Sequence, residues 1–454
     1  MDWKTQKVLV AGSGKSGIGA TDLLKKVGAE VIIYDGNDKL KEEDVLNKLE
    51  NKEDVKVILG ELEDSVINEI DMMVLSPGIA IDAPFVLRVK EAGVPIWGEI
   101  ELAYVIGKGK LAAITGTNGK TTTTALVGEI MANYYDKVDV VGNIGNPYTT
   151  TAFESTDDTV TVAEISSFQL ETIHTFKPDV SAVLNITPDH LNRHYTMECY
   201  TDVKMSIAKN QDSNQPIVLN YEDPILREYA GKLTNRIIWF SSKQKVNPGV
   251  YLEGKNIIYA DGKKETFVTT TEDTTLVGIH NVENIMAAIA ISINMDVPVD
   301  IIRETIRKFK AVPHRIEYVE TINDVIYYND SKGTNSDASI KAIEAMSRPT
   351  ILIAGGYDKK VSFDDWAEAF GDKVKCLVLL GQTAEQIADT VKKHGFTNII
   401  FTESLKEAVD ECAKNAKPGD AVLLSPACAS WGMFDNYEQR GDMFKEYVRA
   451  MCEK

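Results

Sequence analysis

Short apolar runs, each closing on a glycine- or proline-containing turn, recur along this chain, and most are followed by apolar positions at helical spacing. Residues 8–10 run into Gly12-Ser13-Gly14-Lys15-Ser16-Gly17 and then a helical stretch to position 27. Strands are expected at 31–34 and at 71–75, the latter closing on Ser76-Pro77-Gly78. Residues 111–115 lead into Gly116-Thr117-Asn118-Gly119, after which Ala125, Leu126, Ile130 and Met131 keep helical spacing. Further strands are expected at 138–141, 160–163 and 180–185, with a helix over 197–210. Five β-prone stretches, 217–220, 237–240, 250–252, 256–259 and 265–270, are separated by Gly, Asn and Asp turns and read as an antiparallel side sheet. A helix over 285–293 follows, with Asn281 as its N-cap. Beyond 312 the alternation of strand and helix returns, with strands at 325–328, 350–354, 376–380, 398–401 and 421–424. The pattern predicts an α/β protein of three domains. Residues 1–98 form a Rossmann-like domain. Residues 99–311 form a P-loop ATPase-like domain with a small antiparallel side sheet. Residues 312–454 form a second Rossmann-like domain. No solenoid repeat or low-complexity tract interrupts it.

Composition narrows the picture. A chain of 454 residues with 44% hydrophobic and 26% charged content is a globular protein of several domains. The net charge of −19 argues against a nucleic-acid partner. It leaves room for an anionic small ligand, because backbone amides and one lysine act locally. The five cysteines are scattered and form no C-x-x-C pair, so neither a disulfide framework nor a zinc cluster is expected. The first residues run directly into a strand without a secretory pattern, and no apolar run is long enough to span a bilayer. A cytoplasmic monomer without a membrane partner is the expectation.

The chemistry is concentrated at strand ends. Strand, glycine turn and helix around 111–131 are the context a phosphate-binding loop requires. Gly116, Thr117, Asn118 and Gly119 supply main-chain amides, Lys120 a phosphate cation, and Thr121 or Thr122 a hydroxyl for Mg²⁺. The loop is shorter than the standard G-x-x-x-x-G-K-[ST], because Ile114 stands where its first glycine belongs. An ordinary Gly-Asn turn is the plain alternative. Gly12 to Gly17 with Asp35 reads as G-x-G-x-x-G with an acid about twenty residues on. That pattern fits NAD, another nucleotide, or a structural turn. Glu164, closing the strand after the loop, is placed to reach Mg²⁺, although a lone strand-end glutamate is usually just solvated. Taken singly, His190 reads as a polar loop residue and Lys204 as a surface lysine. In the last domain, polar residues gather in the loops 329–335, 355–359 and 425–431, as ligand crevices require.

Together these segments resemble the Mur ligase family of cell-wall peptide synthetases. The motifs are Gly116-Thr-Asn-Gly-Lys-Thr121, Gly142-Asn-Ile-Gly145, Glu164-Ile-Ser-Ser-Phe-Gln-Leu-Glu171, Asp189-His190, His280-Asn281-Val-Glu-Asn284, Pro313-His-Arg315, Asn329-Asp-Ser-Lys-Gly-Thr-Asn335 and Ser425-Pro-Ala-Cys-Ala-Ser430. They stand in family order along nearly the whole chain. The resemblance implies a domain for a UDP-sugar, one for ATP and one for the incoming amino acid. Lys15, Ser16, Asp35, Ser76, Pro77, Gly78 and Asn143 would meet the UDP-sugar. The loop residues with Asn281, Arg315 and Asp330 would meet ATP. Thr121 and Glu164 would hold one Mg²⁺ and His190 would help hold a second, with Lys204 carbamylated nearby. Thr334, Lys359, Ser430 and Tyr437 would take the amino acid. One cation and two hydroxyls suit a dicarboxylic amino acid, and the Asp-Asn-Pro-Arg signature of the members that add diaminopimelate is missing. The implied reaction joins D-glutamate to UDP-N-acetylmuramoyl-L-alanine at the cost of ATP, a step of peptidoglycan synthesis. The rival readings are another amide ligase of this family or of the folylpolyglutamate type, a nucleotide-gated binding module, and a dehydrogenase.

Overall fold

Strand β1 (Lys7–Ala11) sits at the centre of the first sheet, and its burial explains why its sequence is apolar without a break. Val8 and Val10 face one core and Leu9 and Ala11 face another on the opposite side. Such continuous apolar runs mark parallel strands covered on both faces. The computed structural model that shows this describes residues 1–143, 145–274, 276–310, 312–358 and 362–452, with the main chain alone at 192. The chain forms two compact units. One comprises Met1–Asp273 with Glu283–Lys308, the other Thr274–Val282 with Phe309–Lys454.

The first unit holds two sheets. β1 to β5 are Lys7–Ala11, Glu30–Asp35, Lys56–Leu59, Met72–Leu75 and Ile96–Gly98, all parallel in the order 3-2-1-4-5. The order reverses beside β1, which opens a crevice at the carboxyl ends of β1 and β4. The second sheet has nine strands, with β6 (Lys110–Thr115) between β8 (Val160–Glu164) and β9 (Val180–Val183). β7 (Val138–Gly142) lies outside β8. On the other side follow β10 (Pro216–Asn220), β11 (Arg236–Ser241), β12 (Gly249–Glu253), β13 (Asn256–Ala260) and β14 (Glu265–Thr270). The antiparallel side sheet is confined to β12, β13 and β14. β10 and β11, expected to belong to it, pair in parallel and extend the main sheet. Turn residues mark where a strand ends, and strand direction is then fixed by non-local pairing that those turns do not encode.

The second unit is built on six strands: β15 (Glu317–Ile322), β16 (Val325–Asn329), β17 (Thr350–Ala354), β18 (Val374–Leu379), β19 (Ile399–Phe401) and β20 (Ala421–Leu424). They are ordered 15-16-20-17-18-19, parallel except for the β15–β16 hairpin. Leu352, Leu377 and Leu423 enter one core, while Ile353, Val378 and Leu424 enter the other.

Two helix boundaries differ from the pattern. The helix expected over 285–293 begins at Ile279 and runs to Asn294. Asn281 therefore lies inside its first turn and is not the N-cap. Its amide N–H reaches the Gly278 carbonyl, and its side chain donates to the Val277 carbonyl at 2.8 Å. Gly278, at φ +96°, makes the sharp entry. The helix expected over 197–210 ends at Met205 and tightens into a 3₁₀ turn, Ser206–Ala208.

Candidate active site

The loop after β6 lies where the order of the nine-stranded sheet reverses. Gly119 starts the helix Lys120–Ala132 with φ +84°, and a Cβ there would stand 2.3 Å from Asn284 Oδ1, so the position is closed to other residues. Asn185, just past β9, pins the loop from the side. Its carbonyl accepts from Thr117 N–H at 2.9 Å, its Oδ1 from Asn118 N–H at 2.8 Å, and its Nδ2 donates to the Asn118 carbonyl at 3.0 Å. The Thr117 and Tyr200 hydroxyls are 3.1 Å apart. Thr121 and Thr122 are buried in the first turn of the helix.

Two lysines converge on one carbonyl here. Lys120 Nζ donates to the Gly116 and Thr117 oxygens, each at 2.8 Å, and Lys204 Nζ donates to the same Gly116 oxygen at 2.8 Å. Lys204 is buried on the helix Met197–Met205, with its ammonium 4.7 Å from the Tyr200 ring centroid. Burial, and then the neighbouring Lys120 charge, hold its pKa well below the ordinary lysine range. A lysine that reads as a surface residue in the sequence is thus one of the largest buried side chains.

Glu164 is the last residue of β8 and is buried. Asn143 Nδ2 donates to its Oε1 at 2.9 Å, while its Oε2 is buried without a hydrogen-bond partner among the described residues. A buried carboxylate oxygen with an open lone pair beside a phosphate-type loop fits a magnesium ion. Asn143, expected at the UDP-sugar, is placed by the structure on Glu164. His190 is half exposed at φ +52°, its N–H on Asp189 Oδ1 at 2.9 Å and its ring 4.8 Å from Phe168. Among the described residues, no group of three or more His, Cys, Asp or Glu gathers as an ion cage.

A cavity of about 640 Å³ opens at the switch point of the first sheet. Its lining includes Lys15, Ser16, Asp35, Ser76, Pro77 and Gly78, so six of the seven residues expected at the UDP-sugar meet there. Asp35 accepts from the Ser13 amide at 3.0 Å and the Ser13 hydroxyl at 2.5 Å, and from the Asn37 amide at 3.1 Å. Burial opposes its charge, but these donors outweigh burial and hold the carboxyl below its usual range.

In the second unit, Asp330 sits just past β16 and is buried. Burial pushes its carboxyl up to about 7, against the opposing effect of the Ser425 hydroxyl, which donates to Oδ2 at 2.6 Å. Arg315 is half-buried, and its Nε has no hydrogen-bond partner among the described residues. Thr334 lies in the same loop as Asp330, and its N–H reaches the Lys332 carbonyl at 2.9 Å. Ser430 is buried past β20, and Tyr437 opens the helix Tyr437–Arg449 with Lys332 Nζ 5.6 Å from its ring. Lys359 lies outside the described residues. Sequence reasoning missed Arg440. It is fully buried and donates to Ser331 Oγ, the Ser331 carbonyl and the Cys428 carbonyl, so it braces two of the polar loops at once. Arg193 and His194, which no motif includes, are buried or nearly so against Glu171, the last residue of the motif that begins at Glu164.

Family models match three stretches of the chain: "Mur ligase MurD-like, N-terminal domain" over 6–98, "Mur ligase middle domain" over 114–292, and "Mur ligase, glutamate ligase domain" over 314–428. A protein of Lachnospira eligens named UDP-N-acetylmuramoylalanine--D-glutamate ligase is 58% identical over 99% of this chain and 100% of its own length. One of the same name from Clostridioides difficile is 47% identical over the same shares. Among solved structures, the MurF ligase of Thermotoga maritima in complex with ADP superimposes with TM-score 0.62 at 17% identity, over 99% of this chain and 100% of that one. The UDP-N-acetylmuramate-alanine ligase MurC of the same organism gives 0.60 at 19%, over 99% and 100%. At those identities the structural likeness speaks for the fold.

Proposed function

The chain belongs to the Mur ligase family, and from that premise we propose that it joins D-glutamate to UDP-N-acetylmuramoyl-L-alanine with conversion of ATP to ADP and phosphate, a step of peptidoglycan synthesis. The observation that carries the mechanism is the meeting of Lys120 and Lys204 on the Gly116 carbonyl. Of the two amines at this oxygen, Lys120 is the cation for a nucleotide's phosphates, and Lys204 is the one whose burial favours the uncharged form.

A carboxylate does not acylate an amine at neutral pH, because oxide would have to leave. Transfer of the γ-phosphoryl group to the substrate carboxylate gives an acyl phosphate and ADP. The amine of the amino acid then attacks the acyl carbon, and inorganic phosphate leaves from the tetrahedral intermediate with the amide formed. The start of the helix Lys120–Ala132, in the loop that Asn185 pins at Thr117 and Asn118, presents amides to the phosphates, and Lys120 exchanges its carbonyl partners for phosphate oxygens. Thr121 and Glu164 would hold one Mg²⁺, and His190 would help hold a second. Bound there, the metal would screen the repulsion between the converging anions. Asn143 keeps Glu164 Oε1 occupied and so leaves Oε2 as the free ligand atom. Burial lowers the pKa of Lys204 and so favours the uncharged amine that attack on CO₂ requires; a C–N bond would form, one proton would leave, and the carbamate would present oxygens in place of an ammonium. Asn281, Arg315 and Asp330 are offered for the nucleotide, and Thr334, Ser430 and Tyr437 for the amino acid. The acidic charge accords with the absence of a nucleic-acid partner, and no described helix is long and apolar enough to cross a membrane; a cytoplasmic monomer completes the reading.

The test is to offer the purified protein UDP-N-acetylmuramoyl-L-alanine and ATP with a panel of amino acids and weigh the products. D-Glutamate should be joined, one phosphate should be released per amide, and Lys204→Ala should regain part of its activity with added short carboxylates. Phosphate release indifferent to D-glutamate would leave a nucleotide hydrolase rather than a ligase.

A further inference from the structure

Between the cavity of the first sheet and the phosphate loop lies a buried cluster that neither site accounts for. Arg193 Nε donates to Glu171 Oε1 at 3.2 Å and its NH2 to Oε2 at 2.5 Å. The same NH2 donates to the Ile79 carbonyl at 2.8 Å, and Ile79 lines the cavity. The guanidinium also lies 4.9 Å from the Phe168 ring centroid. Both side chains are largely withdrawn from water, Arg193 at 13% and Glu171 at 4% exposure.

Phe168 is held from three sides. Arg193 covers it, His194 stacks on it at 5.5 Å and 29°, and His190 meets it at 4.8 Å. His194 is itself fixed, with Nε2 3.0 Å from Ser167 Oγ and Nδ1 3.4 Å from Glu171 Oε1. Two residues past Arg193, the Tyr195 hydroxyl donates to the Asp82 carboxylate, in the segment that follows the cavity-lining turn 76–79. The stretch 189–195 thus carries His190 at one end and grips the wall of the cavity at the other. Glu171 and Ser167 are on the segment that leaves Glu164 at the end of β8.

Resting on the reading that the cavity takes the UDP-sugar and that His190 faces the nucleotide's metal, we propose that Arg193 is a positioning residue that locks the cavity wall at Ile79 and the His190 segment into one arrangement, so that occupancy of the cavity and occupancy of the phosphate loop favour each other. A guanidinium suits this task. It can hold a carboxylate along two N–H bonds and still donate to a carbonyl, which a lysine's compact ammonium cannot do in the same plane. By linkage, whatever factor the UDP-sugar gains from nucleotide, the nucleotide gains from the UDP-sugar.

Calorimetry on the full chain tests it. The dissociation constants of UDP-N-acetylmuramoyl-L-alanine, and of a non-hydrolysable ATP analogue with Mg²⁺, are measured each alone and in the presence of the other. The wild type should show mutual strengthening of about fivefold or more. Arg193→Ala should bring that factor close to one while each ligand still binds alone, and Arg193→Lys should keep an intermediate factor. A variant that merely loosens the fold weakens both ligands and leaves their ratio unchanged. Arg193→Lys keeps a positive partner for Glu171, so it supplies the measurement if Arg193→Ala does not fold. Undiminished coupling in Arg193→Ala, or in Arg193→Lys if that alone folds, overturns the proposal, as does a wild type that binds the two ligands independently. A wild type that binds no UDP-sugar overturns the functional reading, and the proposal falls with it.

Discussion

Two glutamates at the start of the helix Glu99–Ile106 show how the same side chain meets opposite fates two residues apart. Glu101 is buried, and its carboxyl accepts from the His174, Thr175 and Phe176 amides and the Thr175 hydroxyl. Glu99 is equally buried but accepts only from Gln169 Nε2, at 2.7 Å, and its Oε2 has no partner among the described residues. Burial pushes Glu99 up to about 7, against a smaller lowering by Gln169. The folded protein therefore holds a proton that the unfolded chain gives up near pH 4.5. Stability from this group is full below that pH and is lost as pH rises through about 7. The whole effect is on the order of 3 kcal/mol. Glu99→Gln removes the titration and keeps an acceptor for Gln169. The unfolding midpoint of wild type should fall between pH 5.5 and 8.5 by more than that of the variant, as followed by circular dichroism. Equal pH dependence in the two proteins would mean that Glu99 ionises freely in the folded state.

At the scale of elements, close packing is what local pattern least reveals. On the helix Tyr437–Arg449, a Cβ on Gly441 would stand 2.1 Å from His314 Nδ1 and 3.0 Å from Asn329 Nδ2. His314 and Asn329 are buried and bonded to each other at 3.0 Å, and they precede Arg315 and Asp330 directly. Gly441→Ala should destabilise the second unit by about 1–3 kcal/mol and lower kcat more than the affinity for the UDP-sugar, which a steady-state series would separate. Unchanged kcat and melting would show that the His314 ring yields freely. The glycine loop at 116–119 was legible because its signal is local: glycines, a lysine and an apolar strand within a few positions. β3, β5 and β15 were not, since β3 and β5 are short and only half-buried, and β15 alternates weakly at a sheet edge. Nor was the Arg193 cluster, whose partners Glu171 and Ile79 stand 22 and 114 residues away along the chain. The burial of Lys204 is of the same kind, because it is set by a carbonyl 88 residues distant.

At the scale of the whole molecule, each unit carries its own apolar interior. In the first, one core draws on Val8 and Val10 of β1, Leu111 and Ala113 of β6 and Ile217 and Leu219 of β10, so the two sheets share a single interior. In the second, separate cores cover the two faces of one sheet. Cooperativity follows shared interior, so heating should produce two transitions rather than one. The phosphate loop belongs to the first unit, and a nucleotide at a hundredfold excess over its Kd adds about 2.7 kcal/mol to the state that binds it. Scanning calorimetry should then show the ATP analogue with Mg²⁺ raising one transition, while Gly441→Ala lowers the other and leaves the first in place. If ligand and substitution moved one common transition together, the two units would have to melt as a single cooperative body, and the nucleotide's stabilisation would be felt as strongly at Gly441 as at Gly119.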